Sequence, residues 1–140
     1  MTAMYTAITQ SQIFVLDQDE ALDFYVDTLG LEVHTDADLG FMRWLTVNVP
    51  GGRTRQILLE RRGPPAIDDK AAQEVGHLVC KGAGGGWLAQ ATDDAQSTYE
   101  ALVARGVDIT DEPARKPYGI DFGIPDSFGN RIRIGQLEAP

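Results

Sequence analysis

The chain has a single cysteine, two histidines and few basic residues, and each scarcity removes a class of protein. Cys80 cannot form an internal disulfide, and a lone thiol, expected to be packed and unreactive, fits the reducing cytoplasm. The longest apolar runs, such as those ending at Leu16 and Leu59, fall far short of the ~20 residues a bilayer span requires. The N-terminal stretch lacks a basic region followed by an apolar one, so no export signal is expected. Lys and Arg number 12 against 21 Asp and Glu, a net charge of −9. Without clustered cations the chain has no footprint for a phosphate backbone, and no nucleic-acid partner is expected. The excess acid favours solubility and, at long range, cationic ligands. Neither His34 nor His77 lies near a Ser in a strained elbow, so a hydrolase triad lacks parts. The glycine run from Lys81 to Trp87 is not a nucleotide loop, because no Lys-Ser or Lys-Thr closes a G-x-x-x-x-G frame. It reads as a flexible rim loop.

What the chain does contain is an internal echo. "LDQDEALDFYVDTLGLEV", from Leu16 to Val33, returns as "TDDAQSTYEALVARGVDI", from Thr92 to Ile109. In each copy an Asp opens a helix-period stretch, a Gly closes it, and an apolar, acidic, apolar triplet follows. With 140 residues, 43% of them hydrophobic, the two units must share one core.

Period-two alternation predicts a strand from Ile8 to Leu16, with Ile13 and Val15 on one face and Gln10, Gln12 and Phe14 on the other. Asp17 with Glu20 predicts a helix start, and Gly30 its stop in a left-handed conformation. Strands are expected at Leu31 to His34, Phe41 to Val49 and Arg55 to Arg61, so the first half, about 8–61, is βαβββ. Residues 62–73, with Pro64, Pro65 and paired aspartates, read as a mobile connector. The second half, about 74–136, repeats the order. A strand from Trp87 to Ala91 and a helix from Asp94 to Arg105 come first, and strands at Val107 to Thr110, Tyr118 to Ile124 and Arg131 to Gln136 follow. "PDSFGNR" between the last two predicts a hairpin turn, with Gly129 and Asn130 suited to positive φ.

Two such units, the spacing D-x-x-x-A-x-x-F-Y-x-x-x-L-G in the first, and the ending "DSFGNRIRI" resemble the vicinal oxygen chelate superfamily, the glyoxalase, bleomycin-resistance and extradiol dioxygenase group. The resemblance spans about Ile8 to Gln136. It implies one α+β domain of two βαβββ modules forming a cup-shaped, incomplete mixed β-barrel with helices outside. It also implies a ligand in the cup and a homodimer, often with strands or halves exchanged.

Catalytic members generally hold a divalent metal on inward His, Glu or Gln residues of the first and last strands of each half. Carried over, those positions fall on Gln10, Gln56, Trp87 and Arg133. A guanidinium has no lone pair and brings positive charge where the ion would sit, an indole only donates, and two neutral amides compete poorly with water. No metal and no other cofactor is expected. Both histidines are expected at the surface or in the connector.

With those positions inward, alternation adds Gln12, Phe14, Leu58, Glu60, Trp44 and Thr46 to the cup. Arg131 and Arg133 also face it, while Ile132 and Ile134 pack under a helix. Gly123 falls opposite Arg133, leaving room for its guanidinium, and Asp121 lies diagonal to it. Arg133 is then free for ligand, or paired with Asp121 or Glu60. The expected ligand-binding set is Gln10, Gln12, Phe14, Trp44, Gln56, Trp87, Asp121 and Arg133, apolar walls with a few placed polar groups. It suits a metal-free protein that binds an aromatic or conjugated antibiotic or metabolite. The alternative is a lyase, isomerase or dioxygenase of the same superfamily, with Glu60 or Asp121 as acid or base. An interaction module is the third possibility.

Overall fold

The computed structural model describes residues 3–138. Strand β1 (Gln10–Val15) leads into helix α1 (Gln18–Leu22), which continues as a π-helical turn over Asp23–Thr28, and β2 (Glu32–Asp38), β3 (Arg43–Asn48) and β4 (Gln56–Arg61) follow. Helix α2 (Asp69–Cys80) joins this half to β5 (Leu88–Ala91), α3 (Ala95–Ala104), β6 (Asp111–Lys116), β7 (Gly119–Pro125) and β8 (Arg131–Leu137). The strands form two four-stranded sheets of order β1-β4-β3-β2 and β5-β8-β7-β6. In each sheet the first and last strands of the half run parallel and the other pairs antiparallel. No helix of the described residues is long and apolar enough to cross a membrane.

Local chemistry explains the helix ends. Asp17 Oδ1 accepts from the Glu20 backbone N–H at 2.8 Å, and Asp94 Oδ1 from that of Ser97 at 3.0 Å. Each satisfies a donor that the first helical turn leaves unpaired, and the Ser97 bonds hold the Asp94 carboxyl below its usual range. Gly30 and Gly106 close the two helices at φ +89° and +80°, where a side chain would be strained.

Alternation puts Ile13, Val15, Leu45, Val47 and Leu59 of the first sheet in one core with Phe122, Ile124, Ile132 and Ile134 of the second. Tyr25 and Leu102 cover them from the helices. The opposite face of each sheet turns away from this core, and we call it the free face. The π turn, marked by the Leu29 N–H bond to the Phe24 carbonyl at 2.8 Å, places Tyr25 wholly out of solvent.

Several expectations need correction. The connector at 62–73 is irregular only as far as Asp68, whose carboxylate caps α2 by accepting from Ala71 N–H at 2.7 Å. Val107 to Thr110 is not a strand. Val107 and Ile109 pack against the core as a loop, and the edge strand starts at Asp111. In the last turn Gly129 has φ +114°, and among the described residues no non-glycine residue has positive φ, so Asn130 does not. Cys80 is exposed rather than packed.

Asp126, only 5% exposed, ties the halves together. Its Oδ1 accepts from the backbone N–H groups of Phe128, Gly129 and Asn130 at 2.8, 2.9 and 2.9 Å, which fixes the β7–β8 turn. Its Oδ2 accepts from the Tyr25 hydroxyl at 2.7 Å and from Asn130 Nδ2 at 2.8 Å. The same Asn130 amide donates to the Phe14 carbonyl at 2.8 Å, so one turn of the second half holds both β1 and the first helix.

Removing one hydrogen bond to a buried charge costs about 1.5–3 kcal/mol, and stripping a buried group of its whole network costs more. Urea unfolding should therefore show Tyr25→Phe losing about 1.5–3 kcal/mol and Asp126→Ala more than that. Burial first, and the neighbouring Asp126 second, push the Tyr25 hydroxyl far above the ordinary tyrosine range. An unfolded tyrosine releases its proton near pH 10 while the folded Tyr25 keeps it, so this contribution is intact below pH 10 and falls above it by about 1.4 kcal/mol per pH unit. Alkaline urea titrations should show a shallower decline in Tyr25→Phe than in wild type, and parallel curves would contradict this account.

Candidate functional site

The second sheet's free face carries the most developed site. Along β8, Arg131, Arg133, Gly135 and Leu137 alternate with the core residues Ile132 and Ile134. On β7, Gly123 pairs with Arg133 and Asp121 with Gly135. On β5, Ala89 pairs with Arg133 and Ala91 with Gly135. The floor is thus made of glycine and alanine. Its walls are Trp87, Tyr118 and Leu137, at 60%, 50% and 64% exposure.

Arg133 is the centre of the floor. Its Nε and Nη2 reach Asp121 Oδ2 at 3.1 and 2.7 Å, and its Nη1 is bonded to Asp111 Oδ1. The Tyr118 hydroxyl donates to the same Asp121 oxygen at 3.0 Å, and Thr110 Oγ1 donates to Asp111 Oδ1 at 3.1 Å. Gly123 makes this pairing possible, because a Cβ there would collide with the side chains of Asp111, Thr110 and Arg133. Bonding to Arg133 holds the Asp111 carboxyl below its usual range, with Thr110 and Lys116 helping against burial. The Tyr118 hydroxyl is raised, chiefly by its bond to Asp121. Asp121 is 4% exposed, and its Oδ1 has no protein partner.

Two cavities adjoin on this face and share Trp87 and Arg133. One, of about 380 Å³, is lined by Trp87, Thr110, Asp111, Arg131, Ile132 and Arg133. The other, of about 300 Å³, is lined by Trp87, Ala89, Tyr118, Asp121, Arg133, Gly135 and Leu137, with Gln90 and Ala91 at its edge. Both sizes are typical of small-molecule sites.

The first sheet's free face carries larger side chains. Gln10 pairs with Gln56, Gln12 with Leu58 and Phe14 with Glu60. Gln56 Nε2 lies 3.2 Å from His34 Nε2, so His34 belongs to this face and not to the bare surface. His77 is exposed on α2. Phe14 is half-buried against the core, and with Gln12 and Gly84 to Gly86 it lines a separate cavity of about 210 Å³. Trp44 is half-buried and lines neither of the two cavities beside Trp87. Burial raises the Glu60 carboxyl.

The structure therefore brings together Trp87, Asp121 and Arg133 of the expected set, and it places Gln10 beside Gln56. Sequence reasoning missed Asp111, Thr110, Tyr118 and Leu137 as cavity residues. Their signal was weak, because Asp111 and Thr110 lie at the start of an edge strand whose register slips between Asp111 and Ala114.

The pairings also test the metal positions. Arg133 pairs with Ala89, two residues after Trp87. The corresponding residue of the first half is Leu58, which pairs with Gln12, two residues after Gln10. Gln56 and Arg133 are thus not equivalent, and the equivalent set replaces an amide with a leucine. Among the described residues no three His, Cys, Asp or Glu side chains converge where they could hold a metal ion. Arg133, bound to two carboxylates, occupies the corner that a ligand would use. These residues do not fit the divalent metal of the superfamily's catalytic members.

Comparison with known proteins agrees with the architecture. A solved structure, UcmS2, superposes with a TM-score of 0.88 at 32% identity, covering 94% of this chain and 98% of that one. TnmS3, an antibiotic binding protein from Streptomyces sp. CB03234, superposes with a TM-score of 0.77 at 27% identity, covering 98% and 100%. The uncharacterized protein YurT of Bacillus subtilis (strain 168) is 32% identical over 130 residues, 92% of this chain and 98% of its own length. The profile of the Glyoxalase/Bleomycin resistance protein/Dioxygenase superfamily matches residues 7–134. With paired βαβββ halves, capped helices and a matching profile over nearly its whole length, the chain belongs to the glyoxalase/bleomycin resistance protein/dioxygenase superfamily.

Proposed function

We propose that this chain is a metal-free small-molecule-binding protein that holds an aromatic or conjugated ligand, an antibiotic or a metabolite, on the free face of its second sheet. One observation carries the reading: an indole 60% exposed, Trp87, stands over a floor of glycine and alanine between two cavities. Exposed aromatic surface beside a hollow with placed polar groups is what a stacking ligand needs. The similarity to TnmS3 supports it.

Both cavities are lined by second-half residues alone, so a bound ligand would keep one side open to water. We assign the missing wall to a second copy of this chain, making the working unit a homodimer.

A second reading, a lyase, isomerase or dioxygenase of the same superfamily, draws on Glu60. Burial raises its carboxyl towards the range useful for proton transfer. Glu60 lines neither cavity beside Trp87, and Asp121 is tied to Arg133 and Tyr118. Binding has the stronger support.

Two experiments test this. In a Trp44→Phe background the remaining indole is Trp87, and titration with anthracene-2-carboxamide should quench its fluorescence. Trp87→Ala, followed by probe fluorescence, should weaken binding by about tenfold. Trp44→Phe should leave the affinity unchanged, and equal affinity in Trp87→Ala would reject the aromatic seat. Native mass spectrometry with elemental analysis, on protein purified without chelator, should give a dimer mass and no stoichiometric metal. One tightly held metal per chain would favour the enzyme reading.

A further inference from the structure

The two arginines of β8 that share the free face differ in their commitments. Arg133 is bonded to Asp121 and Asp111. Arg131 is exposed and makes no ion pair or side-chain hydrogen bond among the described residues. In a chain of charge −9 a free arginine on a protein surface has many acids to choose from. Here the two acids of its own face are already taken.

Its position is built rather than incidental. The stem of Arg131 lies along the glycine loop, where a Cβ on Gly82 would stand 3.4 Å from Arg131 Cγ and 3.6 Å from Cδ. Gly82, at φ +69° and 3.1 Å from the Gly129 carbonyl oxygen by the same measure, also lets that loop close onto the β7–β8 turn. The stem is thus within van der Waals reach of the loop, and the residue lines the 380 Å³ cavity together with Trp87. A guanidinium offers a planar fork of donors that matches a carboxylate.

Building on the binding reading above, we propose that Arg131 is the specificity-determining residue of this site and that its ligand is a planar aromatic anion. The ring system stacks on Trp87, and a carboxylate or similar planar oxyanion pairs with Arg131. Arg133 is a positioning residue: its charge is spent on Asp111 and Asp121, and it holds the floor in shape.

The test compares two probes of one shape, anthracene-2-carboxylate and anthracene-2-carboxamide, by fluorescence titration. Wild-type protein should prefer the carboxylate by about ten- to a hundredfold, the range expected of one charge-assisted bond. Arg131→Gln, a change at an exposed position, should bring the two affinities together by weakening the carboxylate alone. Arg131→Lys should retain part of the preference, since an ammonium supplies charge without the fork. Added salt should weaken the carboxylate and spare the carboxamide. Equal affinities in wild type, or a preference that survives Arg131→Gln, would overturn this assignment while leaving the aromatic seat standing. If neither probe binds wild type, the seat itself is wrong and this inference fails with it.

Discussion

The arrangement depends on a buried carboxylate. Asp126 accepts five hydrogen bonds, three from the backbone of its own turn and two from the side chains of Tyr25 and Asn130. A buried charge is tolerable only when its lone pairs are so filled. Because the donors come from both halves, satisfying the charge also fixes their relation. β8 begins at Arg131, immediately after this turn, so the positions of Arg131 and Arg133 on the free face follow from it. Asn130 extends the constraint to β1 through the Phe14 carbonyl.

Duplication gives the two sheets one topology, but the halves have diverged in volume. On the second free face, Ala89 and Gly123 stand where the first carries Gln12 and Thr46. The first face spends its space on side chains and even buries a Thr46 hydroxyl without a partner. The smaller residues of the second face leave apolar surface and polar groups exposed together around Trp87. An exposed Trp, Tyr and Leu around such a hollow would be a liability in a protein that bound nothing.

The sequence made the local features legible and the non-local ones only in part. Helix caps at Asp17 and Asp94 and stops at Gly30 and Gly106 rest on chemistry within a few residues, and they stand where expected. The pairing of Gly123 with Arg133 was also readable, because the hairpin turn fixes its register. Helix α2 was not. Pro64, Pro65 and the aspartates suggested a loop, and the helix buries only the small residues Ala72, Gly76 and Val79, a faint stripe. Strand β6 was misplaced for a different reason. Val107 and Ile109 are apolar because they pack on the core, whereas Asp111–Lys116 is an exposed edge whose composition, with Pro113, says little about pairing. His34 escaped because a register shift between Val33 and Thr35 turns β2 at that point.

Charge illustrates why composition bounds a function without naming it. A net −9 predicts attraction of cations at distances where individual groups blur together. Screening limits that field to about 8 Å in physiological salt, so recognition inside a cavity is decided by the few groups that line it. On this face Asp111 and Asp121 are both bonded to Arg133, one positive charge against two negative ones. The remaining charged group at the larger cavity is Arg131. The superfamily's catalytic members use a cation in the cup to engage oxygen. The indole, leucine, amide and guanidinium at the corresponding positions of this chain do not fit such an ion, and Arg131 and Arg133 place positive charge along β8 on the same face.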